Sequence, residues 1–163
     1  MTKIELKKST LETMPIVLSM SNFYRYDLSE FMGWRIEDDG MHRCYGLEKY
    51  WSEKNHPFII YVDGELAGFA LIESSIDNGK INYDLGEFFV LRKFRHQGVA
   101  KIVALELFKR YKGGWSIAQL VPNKPAISFW HKILTLSIGN DFAMESIMDD
   151  EVGEMCVMKF LNE

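Results

Sequence analysis

Glu87-Phe88-Phe89-Val90-Leu91-Arg92-Lys93-Phe94-Arg95-His96-Gln97-Gly98-Val99-Ala100 carries an apolar run into a basic, glycine-containing turn, and residues 101–112 continue with helical spacing. A strand that ends in such a turn and then starts a helix leaves several backbone N–H groups without an intrahelical acceptor. Those groups form an anion cradle, and the helix dipole reinforces it. Gly98 lets the backbone approach a ligand with no side chain in between, while Val99 and Ala100 put compact bodies behind the cradle. Arg92, Lys93, Arg95, His96 and Lys101 concentrate basic charge within ten positions, which suits a compact polyphosphate better than a long nucleic-acid backbone. Without the glycine and its flanking elements the same run reads as a solvated turn.

The spacing Arg95-x-x-Gly98-x-Ala100 resembles the Gln/Arg-x-x-Gly-x-Gly/Ala signature of the GNAT superfamily of N-acetyltransferases. Downstream, the apolar run 115–121 is followed by Asn123-x-x-Ala126-x-x-Phe129-Trp130, similar to that family's Asn-x-x-Ala-x-x-Phe-Tyr stretch. The two pieces stand in order, one helix and one strand apart, and the resemblance is strongest over residues 86–134. It implies acetyl-coenzyme A as cosubstrate, with its pyrophosphate on the turn from Arg95 through His96, Gln97, Gly98, Val99 and Ala100 to Lys101. It further implies that the pantetheine arm pairs with the strand at Phe88, Phe89 and Val90, and that Asn123, Phe129 and Trp130 border the same slot. The Val90 N–H is then the leading donor to the thioester carbonyl, and transfer to an amine proceeds by direct attack in a ternary complex.

Composition narrows the remaining classes. A chain of 163 residues with 47% hydrophobic content suits one domain over residues 1–163, with a full core. The formal charge of −4 disfavours a general nucleic-acid binder. Near the N-terminus, Lys3, Lys7 and Lys8 mix with Glu5 and Glu12, and Pro15 breaks the apolar stretch 14–20. That pattern fits neither a signal peptide nor a membrane span, so a cytoplasmic protein is expected. Cys44 and Cys156 form no C-x-x-C pair, so reduced thiols are expected and no metal site. Dinucleotide and nucleoside-triphosphate enzymes lack their motifs here, since there is no G-x-G-x-x-G and Gly79-Lys80 is followed by Ile81. A hydrolase of the G-x-S-x-G type is excluded in the same way.

The periodicity predicts one or two helices over residues 10–32, with Gly33 as a stop, and a short helix over 46–53. Strands at 58–62 and 66–73 flank Asp63-Gly64 as a hairpin, and Asp77-Asn78-Gly79 turns into a third strand at 81–91. A helix over 101–112 capped by Gly113-Gly114, a strand at 115–121, a helix over 126–136 and two strands at 142–147 and 155–161 complete the pattern. With a short first strand at residues 4–6, this order is an α+β fold: a mixed, mostly antiparallel central sheet flanked by helices, similar to the acyl-coenzyme A N-acyltransferase fold.

An amine resembling lysine, with a pKa of about 10.4, is protonated at neutral pH, so transfer benefits from a base. Glu87 is the leading candidate, a carboxylate in an otherwise apolar strand; a strand-end glutamate satisfied by solvent is the plain alternative. Glu73 and Asp84 lie closer to turns. Where the family carries its acid tyrosine, this chain has Trp130, whose indole does not yield a proton near neutral pH. The thiolate then leaves unassisted, another phenol such as Tyr83 or Tyr111 serves, or the protein is a coenzyme-A-binding regulatory or interaction module with little catalysis. Tyr24, Tyr26, Asp27 and Glu30 form an aromatic and acidic cluster, and Tyr26, Asp27 and Glu30 are expected to face a small cationic amine acceptor. A homodimer stays open alongside a monomer, because exposed late strands of this family often pair between subunits.

Overall fold

A computed structural model describes residues 1–163. The elements run β1 (Ile4–Lys8), α1 (Met14–Met32), a 3₁₀ helix (Leu47–Trp51), β2 (His56–Val62), β3 (Glu65–Asp77), β4 (Lys80–Val90), α2 (Val99–Arg110), β5 (Gly113–Leu120), α3 (Lys124–Ile138), β6 (Phe142–Asp149) and β7 (Gly153–Asn162). They build one seven-stranded sheet in the order β1-β2-β3-β4-β5-β7-β6. All neighbours are antiparallel except β4 and β5. The α+β class and the acyltransferase-like fold expected from the sequence are those observed.

Local chemistry accounts for most of the elements. Asp63-Gly64 and Asn78-Gly79 both have positive φ at two consecutive residues, the conformation that matches a tight turn to the twist of its strands. Residues 10–32 contain one helix, α1, with Pro15 in its first turn, where a missing N–H costs nothing. Gly33 closes α1 at φ 64°, its N–H bonding the Ser29 carbonyl at 2.8 Å. Gly113-Gly114, read from the sequence as the cap of α2, lies instead in β5. A Cβ on Gly113 would come 2.5 Å from the Ile81 carbonyl oxygen, and one on Gly114 2.3 Å from Asn82 Oδ1. The glycine pair therefore serves the close approach of β5 to β4.

Two apolar layers cover the sheet. On one face α2 and α3 pack Val103, Leu107, Ile133 and Leu134 against Phe58, Ile60, Ile72 and Leu85. On the other, Val17 and Met20 of α1, with Leu47 and Tyr50, cover Ile59, Phe69, Leu71 and Phe89. Strand β4 changes allegiance along its length. Tyr83 and Leu85 belong to the α2/α3 layer and Phe89 to the α1 layer, because the β3–β4 register slips where Leu71 opposes Glu87 and Ile72 opposes Leu85. Gly86 is the extra residue of this bulge, and its missing side chain admits the Tyr50 hydroxyl, which a Cβ would meet at 1.9 Å.

Gly86→Ala is expected to destabilise the fold by about 1–3 kcal/mol, since overpacking must displace Tyr50 or the bulge. Urea unfolding checks this, and a midpoint equal to that of the unaltered protein would contradict it.

Candidate active site

Strands β4 and β5 are in register only from Asn82 opposite Gly114 to Asp84 opposite Ser116, and beyond that they part. The Leu91 N–H bonds the Ala67 carbonyl at 2.7 Å, so by antiparallel alternation the backbone groups of Phe88 and Val90 point away from β3, into the gap. The Val90 carbonyl accepts from Arg95 Nε at 2.7 Å. At the same level of β5, Gln119 is 5% exposed and neither of its amide atoms has a partner. Backbone groups turned into a parted sheet are what an extended, amide-bearing ligand would satisfy.

A cleft of about 510 Å³ opens at this gap, bounded by α1, the end of β4, the start of α2 and the start of α3. Phe88, Phe89 and Val90 line it from the sheet, Arg95, His96, Gly98, Val99, Ala100 and Lys101 from the turn, and Asn123, Phe129 and Trp130 from α3. From α1 come Asp27 and Glu30, together with Tyr24, Leu28 and Phe31, whose spacing of four and three residues sets them on one helix face. Three of the expected residues are not on its wall. Gln97 folds back so that Nε2 donates to the Lys93 carbonyl at 2.7 Å. Tyr26, two residues from Tyr24 and so roughly 200° around the helix, is exposed and faces the His42 ring. Glu87 stands behind Tyr24, adjoining the cleft without lining it.

The turn is shaped for an anion by its backbone. His96 and Gly98 take left-handed conformations at φ 59° and 81°, and α2 begins at Val99, so the first N–H groups of the helix open into the cleft. Nothing lies within 4 Å of where a Gly98 Cβ would be, which leaves the approach clear. The arginine side chains are committed elsewhere. Arg92 donates to Asp27 at 2.8 Å, and Arg95 donates to the other oxygen of the same carboxylate. Asp27 therefore ties α1 to the turn, and its charge is not free for an acceptor, contrary to the sequence expectation. Lys101 and His96 remain exposed beside the helix start.

The bulge at Gly86 brings Glu87 onto the α1 face, among Tyr24, Cys44, Tyr50, Lys49 and Asp84. Burial holds its carboxyl above the ordinary range, a hydrogen bond with the Tyr24 hydroxyl and the Lys49 charge draw it partly back, and Asp84 pushes it up. Asp84 itself is raised, first by loss of solvent and then by Glu73 opposite it on β3. Lys49 pairs with Glu73 at 2.9 Å. Burial and the Glu87 charge raise the Tyr24 phenol well above its usual value, and burial and the same charge push the Cys44 thiol up to about 11.

On the opposite wall, the Asn123 side chain caps α3 by accepting from the Ala126 N–H at 3.3 Å. Trp130 is buried, edge-on to Phe88 and Phe129 with ring centroids at 5.1 and 4.9 Å. Tyr83 and Tyr111, the phenols considered as substitutes for a tyrosine at Trp130, pack at tilted angles against each other and against Trp115 or His56 outside the cleft. Tyr24 is the one phenol on its wall.

A sheet that parts after a short parallel pairing, with a glycine turn and a helix start at the gap, is the architecture of the acyl-coenzyme A N-acyltransferase fold. The chain belongs to the acetyltransferase (GNAT) family, whose family model matches residues 21–135. No curated protein matches the chain. Among solved structures, it is similar to the ribosomal-protein-S18-alanine N-acetyltransferase from Escherichia coli, with TM-score 0.65, 16% identity, and 100% of this chain and 95% of that one covered. Naa50 from Arabidopsis thaliana, in complex with the bisubstrate analogue CoA-Ac-MVNAL, gives TM-score 0.63 and 12% identity over 96% of this chain and 97% of that one. Nourseothricin acetyltransferase gives 0.60 and 15% over 98% and 99%. At these identities the likeness is one of fold.

Asp27→Asn is expected to destabilise the protein by about 1–3 kcal/mol, because Arg95, half-buried, loses the charged partner of its hydrogen bond. A denaturant titration reads this, and an unchanged midpoint would show that the arginines hold the turn without it.

Proposed function

We propose that the protein is an acetyl-coenzyme-A-dependent N-acetyltransferase, a single domain over residues 1–163 that moves the acetyl group directly to a primary amine bound on the α1 side. The observation that carries this reading is a buried, pKa-raised carboxylate, Glu87, adjoining a cleft that ends on a helix N-terminus. In it the N–H groups at the start of α2, with His96 and Lys101, bind the pyrophosphate, and the backbone of Phe88 and Val90 pairs with the pantetheine amides. The Val90 N–H polarises the thioester carbonyl, whose oxygen gains charge as the amine adds. Glu87 removes the proton that keeps the amine from attacking. A carboxyl held above its ordinary range suits this work, because a base is most effective with a pKa near the working pH. The complex of a fold neighbour with CoA-Ac-MVNAL supports the choice of cosubstrate.

For the acceptor we propose a small cationic amine. Glu30 lines the cleft, and the neighbouring group of Glu87, Asp84 and Glu73 shares one lysine, Lys49, so these carboxylates outnumber the cation among them. Fold neighbours of similar likeness are named for a ribosomal-protein alanine and for nourseothricin, so the preference rests on this chain's own carboxylates.

The test is release of coenzyme A from acetyl-coenzyme A with spermidine, kanamycin, glutamate and an alanine-starting pentapeptide. Spermidine and kanamycin should rank first, with KM rising as salt is added; equal rates with glutamate would overturn the acceptor assignment. Glu87→Gln should lower kcat by roughly 10²- to 10⁴-fold with cosubstrate affinity unchanged. The acidic limb of kcat/KM, above the ordinary carboxylate range because the base must be ionised, should vanish with it. An effect within a few-fold would return Glu87 to a structural role.

Gly98→Asp puts a carboxylate into the cradle at a positive φ. Calorimetry should record loss of acetyl-coenzyme A binding while circular dichroism shows the fold retained. Unchanged affinity would remove the turn from the binding site.

A further inference from the structure

Where α1 meets the turn, one carboxylate stands between two guanidinium groups, and all three side chains line the cleft together with the helix start. Asp27 accepts from Arg92 on one oxygen at 2.8 Å and from Arg95 on the other. The group therefore carries one surplus positive charge. Its two arginines are held differently. Arg95 is half-buried and anchored a second time, by Nε to the Val90 carbonyl at 2.7 Å. Arg92 is largely exposed, and the hydrogen bond of its side chain is the one to Asp27. Water screens that pair, so little is lost when the Arg92 guanidinium turns away. Glu30, three residues on from Asp27 and on the same face of α1, also lines the cleft and stands outside the ion pairs of the structure.

We propose that Asp27 is the seat of the acceptor's ammonium and that it opens only when Arg92 and Arg95 face the diphosphate of the cosubstrate, so that the cosubstrate binds first and raises the affinity for the amine. This rests on the reading of the cleft as an acetyl-coenzyme A site with a cationic acceptor. In the ligand-free protein the surplus positive charge repels an ammonium from this wall. Against a diphosphate at the start of α2 the surplus is outweighed, and the sign of the wall reverses. A guanidinium fork matches phosphate oxygens as it matches a carboxylate. Arg92, the exposed partner, is the one to exchange. Arg95 stays on Asp27 and Val90 and keeps α1 fixed to the turn. One oxygen of Asp27 is then left without its donor beside Glu30, and an ammonium, with three N–H donors, can serve both carboxylates. Only ion pairs are exchanged, so no bond is made or broken.

Isothermal titration with coenzyme A and spermidine, a pair that cannot react, reads this coupling without turnover. Saturating coenzyme A should tighten spermidine roughly tenfold, and saturating spermidine should tighten coenzyme A by the same factor, because coupling between two ligands is reciprocal. Direct attraction between the two ligands would give the same sign, so two variants separate the causes. Asp27→Asn, with its fold verified by circular dichroism, should reduce the coupling to within about twofold and leave coenzyme A bound at least as tightly. Arg92→Gln, which spares the bond between Arg95 and Asp27, should raise the affinity of the ligand-free protein for spermidine toward that of the unaltered protein with coenzyme A bound. Coupling that survives Asp27→Asn at full size, or a spermidine affinity unmoved by Arg92→Gln, overturns the proposal and leaves the acetyl-transfer reading standing. Failure of spermidine to bind in any form overturns the acceptor class, and the proposal with it. Failure of coenzyme A to bind overturns the reading of the cleft itself.

Discussion

The extra residue at Gly86 is the constraint on which the cleft depends. Side chains alternate along a strand with period two, so without an insertion Glu87 would share the face of Tyr83 and Leu85, under α2 and α3. The bulge reverses the alternation, and so delivers Glu87 to the α1 layer and Val90 to the other. The same irregularity follows the last β4–β5 pair, Asp84 with Ser116, and bends the strand away from its parallel neighbour. One glycine thus accounts for both the placement of the carboxylate and the opening of the gap. It also requires Tyr50 to close over it, so the wall behind Glu87 is built from the 3₁₀ helix as well as from the sheet.

A second dependency joins the two halves of the cleft. Asp27 is four-fifths buried as a side chain and accepts from arginines at positions 92 and 95, so α1 is tied to the turn that opens α2. A charged hydrogen bond in partial burial is worth more than an exposed pair. The consequence is a division of labour: Asp27 holds the guanidinium groups that shape the turn, while His96 and Lys101 stay exposed beside the backbone N–H groups of the helix start. Anion recognition by backbone dipoles needs no long side chain to be ordered on binding, so little conformational entropy is lost.

Features carried by a few adjacent residues were legible in the sequence. Asp63-Gly64 and Asn78-Gly79 name their turns, Gly98 with the following apolar residues names the helix start, and Asn123 names the next cap, since each signal acts within four or five positions. Phase and long-range contact were not. Tyr24 and Tyr26 look alike in sequence, and only the rotation of α1 on the sheet decides that Tyr24 enters the cleft. Asp27 reads as a free anion because its arginine partners lie 65 and 68 positions away. Gly113-Gly114, after a basic helical run, satisfies the local rule for a helix cap equally well as the close strand contact it makes. The strand expected over 81–91 runs through Gly86 without interruption, and the reversal of faces there follows only from the register with β3.

The sheet order also governs the sequence of events by which the molecule assembles. β7 lies between β5 and β6, so β5 has a free hydrogen-bonding edge on that side until residues 153–162 arrive. During synthesis the hairpins β2–β3 and β3–β4 can form from neighbouring residues, whereas the pairing of Gly113 with Asn162 waits for nearly fifty intervening positions. Such non-local closure is slow and leaves an unpaired strand edge exposed to other chains meanwhile. The N-terminal half of the sheet and α1 are thus available to fold early, and the wall that β5 and α3 give the cleft is consolidated last, by a strand that contributes no residue to it.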